Sequence, residues 1–236
     1  MLKGVDPRDR RSLYRSAAPL PEGAKRILYI PRFGSAPVDP EVAAHTAAFA
    51  RLLSDLGHDL REGEVFLDLD AMAQIWRAVS RAGVAWLMRE NPDYERLAGA
   101  SALAMAAEGR EVTGADYIAA LEEVAAMRRT CAELFETIDL VLTPTAAALP
   151  WPAATPYPDR IDGKPAGPRD HAIFTGWVNI SGVPAISLPI GVSRSGLPIG
   201  AQLASSFGAD DFLLAFAREA SAAAPPPPLP DFEAVS

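Results

Sequence analysis

Apolar positions along the chain follow two rhythms, and the change from one to the other marks out its elements. Arg26 to Ile30 (RILYI) is a short, mostly apolar run of strand length. After a loop containing Pro and Gly, Asp39-Pro40 has the form of a helix start, with Asp as cap and Pro in the first helical position. Val42, Thr46, Phe49, Leu52, Leu53 and Leu56 then recur at helical spacing. Gly57 stops the stripe where a left-handed residue closes a helix. A second strand around His58 to Val65 completes a β-α-β unit over residues 25–66.

The helical rhythm dominates residues 68–138. Asp68 to Glu90 carries Met72, Ile75, Trp76, Val79, Trp86 and Leu87 and ends at Asn91-Pro92. Thr113-Gly-Ala-Asp116 has the form of a capping box with Asp in the Glu/Gln place. Behind it Tyr117, Leu121, Val124, Met127, Cys131, Leu134, Phe135 and Ile138 step by three and four, which predicts one long buried face. Cys131 is read as packing in that face rather than as a nucleophile.

Asp139 to Thr143 (DLVLT), closed by Pro144, reads as a strand buried on both faces. Ala146 to His171 is Pro-rich and aperiodic; a segment of that length either lines a site or runs over the surface, and both readings stand. Val183–Val192 and Leu197–Ala204 flank Ser193-Arg-Ser-Gly196 as a hairpin, giving a sheet-and-hairpin region over 139–205. A last helix spans 210–224, opened by Asp210-Asp211, which complement its dipole. Residues 1–24 read as an extended arm or linker and residues 225–236 as a Pro-rich terminal spacer. The expected class is α/β, a mixed β-sheet flanked by helices.

Composition narrows what such a chain does. Its 236 residues, 49% apolar and 22% charged, fit a globular protein able to bury a core. Thirty acidic residues against 22 basic give −8, and no basic cluster stands out, so a nucleic-acid partner is not expected. One cysteine excludes an intrachain disulfide and a thiolate zinc cage and fits a reducing cytoplasm. No run approaches the ~20 apolar residues of a membrane span, and the first residues lack a signal peptide's apolar core. A cytoplasmic protein without membrane association is expected.

Few side chains are available for chemistry. The histidines are His45, His58 and His171, the lysines Lys3, Lys25 and Lys164. His45 and His58 have no partner at metal-ligand spacing, and Asp68 and Asp70 read as a solvated strand-to-helix junction rather than a cation site. His171 ends the irregular segment and could approach a site, but no G-x-S-x-G elbow and no phosphate-cradling glycine loop accompanies it. No metal and no cofactor is expected.

One stretch is specific to a family. Phe174-Thr175, Asn179, Ser181-Gly182, Pro184-Ala185, Ser187, Pro189 and Gly191, then Gly196-Leu197-Pro198, Gly200, Gln202, Asp211 and Leu213-Leu214, resemble the C-terminal signature of the amidase signature family. Asp139-Leu-Val-Leu-Thr-Pro144-Thr145 resembles the strand that precedes it there, and Gly4-Val-Asp6-Pro7-Arg8-Asp9 the family's G-x-D-P-x-D segment. The resemblance implies an α/β/α fold and cleavage or transfer of amide nitrogen by a serine, cis-serine and lysine, with lysine as general base and a Gly/Ser-rich loop holding the oxyanion. In the family those groups precede the G-x-D-P-x-D segment. Their Gly-Gly-Ser-Ser-Gly-Gly-Ser run does not occur here, and none of the three lysines has the family's context.

The resemblance therefore implies the C-terminal portion of an amidase, an incomplete amidase-signature fold with no catalytic residue of its own. It would meet a small amide substrate only when the catalytic half is supplied. Phe174, Thr175, Trp177 and Asn179 match the segment bordering the family's substrate cleft, with packing and turn formation as the alternative for each. An exposed sheet edge and apolar face would favour a homo-oligomer. Two other readings stay open: a non-catalytic small-molecule binding or oligomerisation module on the same scaffold, and an enzyme using Ser181 or Thr175 with His171.

Overall fold

The computed structural model describes residues 23–224, so the expected arm, but for its last residues, and the Pro-rich tail lie outside the described residues. The chain divides into two compact units, residues 66–131 and the remainder.

The sheet-bearing unit is built on β1 (Arg26–Tyr29), α1 (Pro40–Asp55) and β2 (Asp59–Glu62), with β1 and β2 parallel. Asp39 caps α1, its Oδ1 accepting from the backbone N–H of Glu41 (2.8 Å) and Val42 (3.4 Å). Gly57 follows the helix at φ 92°, a conformation only glycine adopts cheaply. β3 (Leu140–Pro144) runs parallel to β1 and antiparallel to β7 (Pro198–Ala204), and β7 pairs antiparallel with β6 (Ala185–Val192). The strand order is β2-β1-β3-β7-β6, a mixed sheet. All five residues of β3 are buried, as its unbroken apolar run requires of a central strand.

Alternation along the strands sends Ile27, Tyr29, Leu140, Leu142, Leu188, Ala201 and Leu203 to one face. There they pack with Phe49, Ala50 and Leu53 of α1 and Leu213, Phe216 and Ala217 of α8 (Asp210–Ala223). Each fully buried large side chain in this cluster contributes roughly 1.5–3 kcal/mol. Arg26 and Asp139 tie the entries of β1 and β3. The guanidinium donates to Oδ1 at 2.7 Å and Oδ2 at 3.3 Å, and the Arg26 backbone N–H adds a bond to Oδ2 at 2.7 Å. Burial pushes the Asp139 carboxyl up, yet these bonds and the neighbouring charges of Arg26 and Lys25 outweigh it and hold it below the ordinary carboxylate range.

The segment between β3 and β6 is anchored rather than loose. Ala147 N–H donates to the His171 carbonyl (2.9 Å) and the Ala147 carbonyl accepts from Asp39 N–H (2.8 Å). A two-residue hairpin, β4 (Arg160–Ile161) and β5 (Lys164–Pro165), turns at Asp162 and Gly163, both at positive φ.

Residues 66–131 are helical. α2 (Leu69–Ile75) is capped by Asp68, whose Oδ1 accepts from Asp70 and Ala71 N–H. The helix expected over Asp68–Glu90 is interrupted by a π-helical turn at Trp76–Ser80 before α3 (Arg81–Glu90). α4 (Pro92–Leu97) and α5 (Ala100–Arg110) are additions to the sequence reading; the Ala-rich run of α5 carries no amphipathic stripe to announce it. α5 approaches α3 so closely that a Cβ on Gly109 would lie 2.0 Å from the Arg81 carbonyl oxygen. α6 (Gly114–Thr137) begins here with the Thr113–Asp116 box formed in both directions: each residue's backbone N–H donates to the other's side chain at 3.1 Å. The expected buried face of α6 is only half correct. Met127, Cys131, Phe135 and Ile138 are buried, while Tyr117 and Leu121 are 37% and 40% exposed. Periodicity defines an apolar stripe, but not how far along it a neighbour reaches.

Candidate functional site

The second face of the sheet carries polar groups near its β6 end. Thr143, Gln202 and Ser187 follow one another across β3, β7 and β6 in register, Gln202 opposite both of the others. Gln202 Nε2 donates to Thr143 Oγ1 (3.2 Å) and to the Phe174 carbonyl (2.9 Å), which fixes the segment carrying Phe174 against the sheet. One residue past β3, Thr145 turns back to β7 through its N–H to the Gly200 carbonyl (3.0 Å). Its hydroxyl lies 2.6 Å from that of Ser187, and this pair is exposed. Gly200 makes room for it: an added Cβ would sit 2.8 Å from Ser187 Oγ and 3.0 Å from Thr145 Oγ1.

The hydroxyl pair opens into a cleft of about 450 Å³ whose remaining walls are apolar, among them Val42, Leu149, Trp151, Pro189 and Ile199. That size lies within the range of small-molecule sites. Trp151 is held by its Nε1–H on the Thr155 carbonyl (3.0 Å), and its ring lies 4.6 Å from the His171 ring. Burial, then the charge of Arg169, depress the His171 pKa against the opposing pull of Asp170, so the imidazole is neutral at pH 7. Its Nδ1 is buried and makes no hydrogen bond.

The four residues expected to border a substrate lie on a neighbouring turn and short helix. Phe174 is fully buried and meets Phe33 edge-on at 5.0 Å. Thr175 donates its hydroxyl to the Ala172 carbonyl (3.1 Å). Trp177, also fully buried, and Asn179, exposed, are on α7 (Gly176–Ser181), which ends at Gly182 with φ 77°. Ser181 Oγ donates to the Val178 carbonyl (3.3 Å). The hydroxyls of Thr175 and Ser181, the alternative nucleophiles, are thus turned to backbone carbonyls of their own segment. Neither Asp68 nor any other described group of acidic, histidine or cysteine side chains is arranged to hold a metal.

Ser187 and Gly200 belong to the stretch that carries the family resemblance but not to the four residues expected to border a substrate, and Trp151 lies in the irregular segment with no role assigned to it. Alternation places Ser187 on the face opposite Leu188, but only the pairing of β3 with β7 and β7 with β6 brings it to Thr145.

Comparison with known proteins agrees with this architecture. An amidase from Pseudomonas putida is 29% identical over 211 residues, covering 84% of this chain and 44% of its own. The 6-aminohexanoate-cyclic-dimer hydrolase of Paenarthrobacter ureafaciens is 28% identical over 208 residues, 81% of this chain and 42% of that one. The chain thus spans less than half the length of these relatives. A solved structure of a 6-aminohexanoate cyclic dimer hydrolase complexed with substrate superposes with a TM-score of 0.72 at 24% identity, over 92% of this chain and 50% of the other, a likeness of fold. The family profile named Amidase matches residues 3–214. With that match spanning most of its length, the chain belongs to the amidase signature family.

Proposed function

We propose that this chain is the cleft-bearing portion of an amide-bond hydrolase and does not turn over an amide by itself. The observation that carries the reading is the Thr145–Ser187 hydroxyl pair in the wall of an otherwise apolar cleft on an amidase-family chain. Support comes from how the described hydroxyls and lysines are engaged. Thr175 and Ser181 are engaged with backbone carbonyls, Lys25 lies over the Phe212 ring, and Lys164 stands in the exposed β5. Acyl transfer needs an activated hydroxyl with a base in reach and donors aimed at the oxyanion. An amide substrate therefore becomes a partner once residues bearing those groups are supplied. None of Phe174, Thr175, Trp177 and Asn179 lines this cleft, so in this reading they border the substrate only where it extends beyond the cleft, with the fully buried Phe174 and Trp177 holding their segment in place.

Self-association and a cytoplasmic setting belong to the same proposal. The edge strand β6 carries no charged residue, and Leu97 and Ile118 are 70% and 59% exposed. Cys131 is a buried thiol, and no described helix is long and apolar enough to cross a membrane. The test is ammonia release from a neutral amide by the purified 236-residue protein. The expected rate is that of buffer; turnover by the chain alone overturns the reading.

A further inference from the structure

We infer that His171 holds the Trp151 wall of the cleft in place and releases it on taking up a proton, so that acid loosens the cleft. This deepens the reading of the chain as cleft-bearing by naming a control on that cleft, and it rests on that reading for the cleft's importance. Trp151 is one of the lining residues and His171 is not. Their rings lie 4.6 Å apart at a tilt of 58°, so the imidazole supports the indole from outside the lining. The backbone beneath them is fixed at two points, Ala147 N–H on the His171 carbonyl and Asp39 N–H on the Ala147 carbonyl. A movement begun at the imidazole is therefore one of side chains over an anchored backbone.

The contact is conditional because of Nδ1, which is buried and makes no hydrogen bond. In the neutral ring this nitrogen can be a bare lone pair, whereas the imidazolium carries a hydrogen on both nitrogens. Protonation thus places a charged donor where nothing accepts it, a far less favourable state than an idle lone pair. The charges nearby bring little relief. Arg169 opposes the proton and Asp170 favours it, but Asp170 Oδ2 already accepts from Gly167 N–H (2.7 Å). Asp39, which reaches the same backbone from the start of α1, has its Oδ1 on the N–H groups of Glu41 and Val42. Residues 146–155, the segment carrying Trp151, contain no ionisable side chain. Attraction between an imidazolium and the indole face favours the closed contact. Burial is the largest influence on the ring and acts against a proton there, and turning Nδ1 out to water, away from Trp151, relieves it.

The experiment follows the full 236-residue protein by NMR from pH 8 to pH 5, with circular dichroism to check the fold. Three signals are read: the His171 ring protons, exchange of the Trp151 indole N–H relative to a free indole at the same pH, and the methyl groups of Val42 and Ile199. These two residues line the cleft from α1 and β7, and Trp151→Phe identifies the indole signal. Below one shared midpoint under pH ~6.5, the indole is expected to exchange at least about tenfold faster and both methyl signals to shift with it. His171→Phe and His171→Gln, neutral at every pH, are expected to abolish that transition in the indole and the methyls. A His171 ring that titrates while Trp151 stays protected, methyls that do not follow, a transition that survives both substitutions, or a ring still neutral at pH 5 overturns the inference. So does an acid transition that takes the whole fold with it. None of these signals involves turnover, so their failure leaves the amide-hydrolase reading standing. Ammonia release by the chain alone would overturn that reading and leave the Trp151 titration as measured.

Discussion

Removing the cation of the Arg26–Asp139 pair tests how the sheet is held at its strand entries. The Asp139 side chain is 1% exposed and Arg26 39%, so the two partners are not equivalent. Arg26→Leu leaves a buried carboxylate with the Arg26-position backbone N–H as its remaining donor; Asp139→Asn leaves a guanidinium that can turn to water. Breaking a buried pair from the cation side costs about 3–5 kcal/mol. Because Arg26 is partly solvated and the backbone bond survives, about 3 kcal/mol is expected for Arg26→Leu at pH 7, and about half that for Asp139→Asn. The pH dependence has a definite sign. The folded carboxyl lies below its unfolded value, so its stabilisation is complete above the ordinary carboxylate pKa and is lost as pH falls through the folded value. Once protonated, Asp139 makes no ion pair in the parent either, so the penalty of Arg26→Leu should shrink on acidification. Urea unfolding of parent and variants at neutral pH and at steps down through pH 4 reads this directly, and taking differences cancels the other carboxylates. A penalty below about 1 kcal/mol at pH 7, or one that does not change with pH, refutes the reasoning.

Other outcomes follow from single contacts. Gly109→Ala places a Cβ 2.0 Å from the Arg81 carbonyl oxygen, a backbone clash that should cost at least about 3 kcal/mol and lower the helical signal on mild heating. His171 titrates below its ordinary range when folded, so its contribution is present above pH ~6.5 and declines as pH falls toward the folded value. His171→Phe should remove that part of the acid sensitivity, and an unchanged Trp fluorescence pH profile would count against the tilted Trp151–His171 ring contact. Light scattering at micromolar concentration should give a mass above that of one chain, and Leu97→Lys with Ile118→Lys should lower it; a monodisperse monomer sinks self-association.

Local rules carried much of the chain. Asp39 and Thr113 cap their helices where short polar side chains can reach orphan N–H groups, and Gly57 follows its helix at positive φ. The continuous apolar run of β3 announced a strand covered on both sides. Where one interaction spans only a few residues, the sequence holds all its terms.

The candidate site was legible only in part. Thr145 stood at a recognisable strand end and the family motif drew attention to Phe174–Asn179, but two of those four side chains are wholly buried. Ser187 and Gly200 stand in the family stretch, but their place beside Thr145 comes only from the register β3-β7-β6, which sets residues 42 positions apart at 2.6 Å. The exposure of Tyr117 and Leu121 likewise depends on how far packing extends along α6, a matter of neighbours rather than of period. Sequence by itself determined the β-α-β unit, the caps of α1 and α6, the buried central strand and the family. Tertiary structure alone decided which polar side chains meet across the sheet, because strand register and loop anchoring join distant positions through backbone hydrogen bonds that any sequence can form.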